Sequence, residues 1–283
     1  MPRRLRVAAV QLRCGIDSAA NRAHAAPFLR AAAAAGAQLV ATPENTMRLD
    51  RDRKRLLAAT AAENNDSELA AWGAFAKELS VWLLMGSGSV VALAGKVFNR
   101  SYLFSPTGAV AAHYDKIHMF DVQLGAGESY RESEGVQAGD KAVLAAGPMD
   151  AKIGLTICYD LRFPGLYNAL ARGGAEVIAV PAAFTHTTGQ AHWDTLVRAR
   201  AIETGAFVIA PAQGGHHDDG RTTWGYSMIV DPWGKVLAAL DHNNPGYVVA
   251  DLDLDLVQEA RAKIPAWVGG PAYLPPPALV TGR

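Results

Sequence analysis

Cysteine is scarce: Cys14 and Cys158 are the only two in 283 residues. A secreted chain of this length more often carries a set of disulfides, so the pair predicts a reducing, cytoplasmic setting. Long apolar runs are missing as well. No stretch approaches the roughly 18 apolar residues of a membrane span. The basic start, Met1 to Arg6, leads into the strand-like run Val7 to Leu12, not into an apolar segment of secretory length with a small-residue cleavage site. Charge of one sign is missing too, since 27 basic residues balance 27 acidic ones. No basic stripe points to nucleic acid or to an anionic membrane surface. There is no Pro/Gly/Ser linker and no repeat period. Residues 1–265 are therefore expected to form one domain, followed by an irregular tail over 266–283 that is rich in Pro and Gly.

What is present is ample core material, since half of the residues are hydrophobic. Apolar runs alternate with helical patterns. Val7 to Leu12, Gln38 to Thr42, Trp82 to Val90, Ala151 to Ile157, 175–180, 206–211 and Tyr247 to Leu252 read as strands. Ala19 to Ala35, one or two helices over 52–79, Gly165 to Arg172, 191–204 and Leu256 to Ile264 read as helices. Asn64-Asn65-Asp66-Ser67 supplies a break and a new cap. Ser105-Pro106-Thr107-Gly108 and Asp231-Pro232-Trp233-Gly234 are turn signals joining strand pairs. Alternation predicts an α/β fold with helices outside, and the hairpins predict mixed sheets.

Three positions draw attention. Cys158 lies at a strand-to-helix elbow, where α/β proteins expose side chains at the carboxyl end of a sheet. Glu44 follows the strand ending at Thr42, and Lys116 follows the strand Ala111 to Tyr114. A carboxylate, an ammonium and a thiol supply a base, an oxyanion stabiliser and a nucleophile. Each also has an ordinary reading. A lone intracellular cysteine is usually a small buried hydrophobe. Glu44 reads equally as a loop charge or helix cap, and Lys116 as a surface lysine paired with Asp115. Other features are plain. His216-His217-Asp218-Asp219-Gly220-Arg221 reads as a surface loop without metal geometry, and His186 and His192 as hydrogen-bonded structural residues. Gly86-Ser87-Gly88-Ser89 lacks nucleotide-loop spacing.

Pro43-Glu44-Asn45, Asp115-Lys116-Ile117-His118-Met119-Phe120-Asp121 and Ile157-Cys158-Tyr159-Asp160-Leu161-Arg162-Phe163-Pro164 together resemble the three signature blocks of the nitrilase superfamily, the carbon–nitrogen hydrolases. The likeness runs from Val7 to about Ile264. The stretches Pro181 to Trp193, Arg198 to Thr204 and Gly225 to Gly234 are similar to the branch that includes deaminated glutathione amidase and ω-amidase. Enzymes of the superfamily that act on nitriles usually carry Trp-Glu after the cysteine. Here Tyr159-Asp160 follows, as in the amidase and carbamoylase branches. The tail Gly269 to Pro275 departs from the expected pattern, which carries more charge.

The resemblance implies a four-layer α/β/β/α sandwich that pairs into a homodimer or higher homo-oligomer. It implies a Glu44–Lys116–Cys158 triad, with Glu132, matching better than Glu128, as a second pocket glutamate. The expected activity is hydrolysis of a small carboxylate-bearing 2-oxo amide to acid and ammonia through a Cys158 thioester. Lys116 and the Tyr159 N–H would hold the oxyanion, with no cofactor and no metal. Arg162, one helical turn from Cys158, is expected to pair with a substrate carboxylate or with a nearby acid. By resemblance, Phe184 and Thr188 line the pocket. Deaminated glutathione ranks first as substrate, then α-ketoglutaramate, then N-carbamoyl amino acids. A papain-like Cys-His hydrolase using His118 or His192, and a binding module with a vestigial site, are the rival readings.

Overall fold

The computed structural model describes residues 3–63, 66–125 and 128–271. Along the chain come β1 (Arg4–Gln11), α1 (Ser18–Ala34), β2 (Leu39–Ala41), α2 (Arg53–Ala59), α3 (Ser67–Leu79), β3 (Trp82–Val91), β4 (Val97–Phe104) and β5 (Val110–Asp115). Then follow β6 (Asp121–Gly125), β7 (Glu128–Arg131), β8 (Val143–Ala146), β9 (Lys152–Leu155), α4 (Pro164–Arg172), β10 (Val177–Ala179), α5 (His186–Thr204) and β11 (Phe207–Ala210). The chain continues through β12 (Gly214–His216), β13 (Thr222–Trp224), β14 (Met228–Val230), β15 (Val236–Ala239), β16 (Gly246–Asp253) and α6 (Asp255–Lys263).

Two six-stranded mixed sheets form the centre, in the orders β16-β1-β2-β3-β4-β5 and β15-β14-β11-β10-β9-β8. The period of two along β1 shows how one strand serves two layers. Leu5, Val7 and Ala9 belong to the core shared with the second sheet, whereas Ala8 and Val10 belong to the core under α1 and α3. Leu29 of α1 and Leu69, Trp72 and Phe75 of α3 cover that outer face. On the other side, Leu166, Tyr167 and Leu170 of α4 and Trp193, Val197 and Ala201 of α5 cover the second sheet. Gly154 in β9 allows α4 to come close, because a Cβ there would sit 3.1 Å from Leu170 Cδ1. The layers are therefore α/β/β/α, as expected.

Helix starts follow their caps. Asp17 accepts from the Ala20 N–H at 2.7 Å, and Asp66 from the Glu68 and Leu69 N–H groups. Asn64 and Asn65, beside that second cap, lie outside the described residues. Helix α5 begins at His186, five residues before the expected start, because Thr185 accepts from the Thr188 N–H at 3.3 Å and caps it there. Its end agrees with the expectation: Gly205, in the left-handed region at φ 57°, closes it. The hairpins β6–β7 and β12–β13 and the edge strand β8 were not expected. They are short, three to five residues each, so the residue pattern gives them little signal. Pro265–Val268 forms a 3-10 turn, and the part of the expected tail from 272 to 283 lies outside the described residues. Among the described residues no helix is long and apolar enough to cross a membrane.

Candidate active site

Each of the three flagged side chains stands just past a strand end. Strand β2 ends at Ala41. Asn45, next to Glu44, takes the left-handed region at φ 58°, and its N–H donates to Ser87 Oγ at 2.8 Å. This turn is also held from behind, since Gln213 Nε2 donates to the Glu44 carbonyl at 2.9 Å. Strand β5 ends at Asp115. Asp115 does not pair with Lys116 but receives Arg100 Nε and Nη2 at 2.7 and 2.8 Å. The neighbouring Lys116 is thereby directed inward, and only 2 % of it is exposed. Past β9, Cys158 has φ 48°, a left-handed conformation that costs a non-glycine residue on the order of 1 kcal/mol. Its N–H is spent on the Pro181 carbonyl at 2.9 Å, and its sulfur accepts from the Ala183 N–H at 3.5 Å.

These groups meet. Lys116 Nζ donates to Glu44 Oε1 at 2.9 Å and to Glu132 Oε1 and Oε2 at 3.0 and 2.8 Å. Glu132 is further held by the Phe120 N–H at 2.7 Å. Asn99 Nδ2 bridges both carboxylates, 2.9 Å from Glu44 Oε1 and 3.4 Å from Glu132 Oε1. Burial disfavours the Lys116 ammonium. The charges of Glu132, then Glu44, outweigh burial and hold its pKa well above the ordinary lysine value. Burial pushes the Cys158 thiol well up, and the Glu44 carboxylate pushes it further, while Lys116 pulls the other way. All four line one cavity of about 360 Å³.

Asp160 ties the elbow to the lysine loop. Its Oδ2 accepts from the Ile157 N–H at 2.8 Å and from Tyr114 OH at 2.7 Å. Its Oδ1 accepts from the His118 N–H at 3.0 Å and lies 2.7 Å from His118 Nδ1. Tyr159, second in the 3-10 turn Cys158–Arg162, presents one of the N–H groups that a helical start leaves without an intrahelical acceptor. Arg162, Phe184 and Thr188 line the same cavity. The Arg162 guanidinium lies over the Phe184 ring at 5.1 Å and reaches His192 Nδ1 at 3.2 Å. Among the described residues it meets no carboxylate, so the structural ion pair is not formed. Thr188 is 2.9 Å from Thr185 Oγ1 within the cap of α5.

The His216–Arg221 stretch was expected as a surface loop, but it turns the β12–β13 hairpin and His217 is buried. Its ring joins Cys14 O and Thr223 Oγ1, each at 2.7 Å. Among the described residues no group of His, Cys, Asp and Glu is placed to hold a metal. For a Cys-His dyad, the candidate histidines are engaged elsewhere, His118 on Asp160 and His192 on Arg162. Sequence reading missed Asn99, Asp160 and Ala183. Asn99 had a signal: it alternates with Val97, Ser101 and Leu103 on a buried strand face, a costly place for an amide without partners.

A family model described as carbon-nitrogen hydrolase matches residues 6–262. The deaminated glutathione amidase of Synechocystis sp. (strain PCC 6803 / GT-S) is 39% identical over 262 residues, covering 92% of this chain and 95% of that one. The deaminated glutathione amidase of Homo sapiens is 36% identical over 265 residues, covering 92% and 80%. Among solved structures, the C. elegans NitFhit protein superposes with a TM-score of 0.86 at 30% identity, over 94% of this chain and 65% of that longer one. An amidase mutant from Nesterenkonia sp. AN1, described as carrying the Michael adduct of acrylamide at its active-site cysteine, gives a TM-score of 0.77 at 25% identity, over 92% and 98%.

Proposed function

The chain belongs to the carbon–nitrogen hydrolase family, and from that premise we propose that it is an amidase acting on deaminated glutathione, a 2-oxo acid with its scissile amide at the far end. The observation that carries this reading is the Lys116 ammonium clamped between Glu44 and Glu132 in the cavity that holds Cys158. With its pKa raised by burial and by Glu44, the resting sulfur is a thiol at neutral pH. Proton removal therefore accompanies attack, and Glu44 is the base. The Cys158 sulfur forms a bond to the amide carbon, and the carbonyl oxygen becomes an oxyanion facing Lys116 and the Tyr159 N–H. Donors so placed are worth ~3 kcal/mol each in the transition state. Glu44 returns the proton to the departing nitrogen, the C–N bond breaks, and a thioester remains. Water, deprotonated by Glu44, then releases the acid.

For deaminated glutathione the departing group is the amine of cysteinylglycine. This replaces the ammonia expected for a primary amide such as α-ketoglutaramate. Glu132 orients Lys116 and keeps it protonated. Arg162, free of any acid among the described residues, takes the 2-oxo acid carboxylate, with Phe184 beneath it and Thr188 beside it. The chemistry asks for no cofactor or metal. A thiol nucleophile works in a reducing compartment, in keeping with a cytoplasmic setting. A single carbon–nitrogen hydrolase domain over 1–265, and a homodimer or higher oligomer, are proposed on the family resemblance; sedimentation velocity tests the latter.

The deciding experiment measures release of the freed amine or ammonia from deaminated glutathione, from α-ketoglutaramate and, as comparison, from N-carbamoyl amino acids. Deaminated glutathione should give the highest kcat/KM, and acid quenching should trap a 2-oxoglutaryl adduct on Cys158. Preference for a carbamoyl compound, or full activity in Cys158→Ala, would sink the reading. A binding module with a vestigial site predicts no adduct at all.

A further inference from the structure

We propose that the cavity holds a second anion subsite, formed by Arg53 and Arg131, which takes a carboxylate on the departing amine. The inference rests on the functional reading above and adds a requirement on the half of the substrate that leaves. The cavity wall includes two groups of segments, completed by Ser89, Val97, Asn99, Lys116, Phe120 and residues 221–223, where Arg221 is already paired with Asp219. Residues 158–162 and 183–188 bring Cys158, Arg162, Phe184 and Thr188. Residues 44–57 and 129–136 bring Glu44, Arg51, Arg53, Arg131 and Glu132. Glu44 must reach the departing nitrogen to protonate it, so whatever that nitrogen carries extends along the second group.

That second group is rich in unpaired cations. Of its acids, Glu44 and Glu132 are spent on Lys116, and Asp50 on Arg55 at 2.6 Å. Glu134 also lines this part of the wall with Arg51, Arg53 and Arg131. Among the described residues none of these arginines has a carboxylate at ion-pair distance, and Arg131 reaches its cross-strand neighbour Asp121 only through the field that helps to lower that carboxyl's pKa. Arg53 is held near the chemistry. It packs on the turn that carries Glu132, since a Cβ at Gly135 would lie 3.4 Å from its Cγ and Cδ and 3.5 Å from its Nε. The Gly135 N–H closes that turn on the Glu132 carbonyl at 3.0 Å, and Arg131 enters it from β7. A dipeptide amine places its carboxylate roughly 7 Å beyond the scissile nitrogen, two residues of extended chain away. A cavity of about 360 Å³ falls in the range of sites that enclose such a ligand. Guanidinium groups suit a carboxylate through paired N–H donors.

The test uses two probes that share the 2-oxoglutaryl group and differ only at the far end: the γ-amide of glycylglycine and the γ-amide of glycylglycinamide. Both give the same acyl-enzyme, so any difference in kcat/KM arises before or during loss of the amine. The wild-type protein should prefer the carboxylate probe by roughly 10- to 100-fold, the range for a charge-assisted hydrogen bond. In the Arg53→Ala/Arg131→Ala double variant the ratio should collapse to within about three-fold, because the variant removes the charge that reads the far end. A ratio is insensitive to partial loss of folded protein. A wild-type ratio near one, or a ratio that survives in the double variant, overturns the subsite alone. Failure of the wild-type protein to cleave either probe overturns the functional reading, and the subsite with it.

Discussion

At Cys158, two neighbours act on the thiol in opposite directions. Burial is the largest influence and raises its pKa, Glu44 raises it further, and Lys116 lowers it. The sign of each substitution follows. Glu44→Gln removes a raising influence, so the pH at which iodoacetamide alkylates Cys158 should move down. Lys116→Gln removes the lowering one, so that pH should move up. Midpoints that move the same way in both variants would contradict this electrostatic account. Lys116 also has a structural duty. With 2 % exposure it is the cation between Glu44 and Glu132, and removing one partner of a buried ionic cluster typically costs ~3–5 kcal/mol. Urea unfolding of Lys116→Met should show a loss of that order. Adding Glu44→Gln and Glu132→Gln to it should restore most of the stability but none of the activity. A triple variant as unstable as the single one would show that the cost is packing and not charge.

The elements present these residues through their ends, and Asp160 is what sets one end against another. Its two oxygens accept from Ile157 before the elbow, from Tyr114 at the end of β5, and from His118 beyond Lys116. An asparagine has one acceptor oxygen, so Asp160→Asn leaves one pair of donors facing an NH2 group. A buried unmet donor costs ~1–3 kcal/mol. Displacing Cys158 against Lys116 by about 1 Å costs on the order of 100-fold in rate. The variant should lose at least ~100-fold in kcat with a smaller change in KM, and its melting temperature should fall. Unchanged kcat would remove Asp160 from the positioning role. This also explains what the sequence made legible. β2, β9, β10 and β11 are buried on both faces and read as apolar runs. Glu44, Lys116 and Cys158 stood out because each follows a recognisable strand. Asp160 did not, because two of its partners lie far off in sequence: Tyr114 on β5 of the other sheet, 46 residues away, and His118 in the loop beyond it, 42 residues away. The hairpins β6–β7 and β12–β13 are set by tertiary contacts on short segments, where residue pattern carries little signal.

At the scale of the molecule, the two sheets must hold a fixed offset, because Glu44 and Lys116 come from one and Cys158 from the other. Much of that hold is the apolar layer between them, and one ion pair closes it at the end away from the cavity. Arg3, just before β1, donates to Glu176 Oε1 at 2.6 Å and Oε2 at 3.3 Å. Glu176, just before β10, also accepts from the Lys152 N–H at 3.0 Å. Burial alone would raise the Glu176 pKa. Hydrogen bonds from Arg3 and the Lys152 backbone, with the Arg3 charge, reverse that and hold it below the usual carboxylate value. A depressed carboxylate contributes stability above its unfolded pKa and loses it as pH falls through the folded one. Arg3 is 38% exposed, so solvent screening limits the contribution to about 1 kcal/mol. Glu176→Gln should therefore lower the melting temperature by a few degrees at pH 7. The gap from wild type should shrink as pH falls below about 4, where the unfolded carboxyl takes up its proton. A gap that stays constant down to pH 3, or that widens there, would show that Glu176 acts through packing, and that the apolar layer alone sets the offset between the sheets.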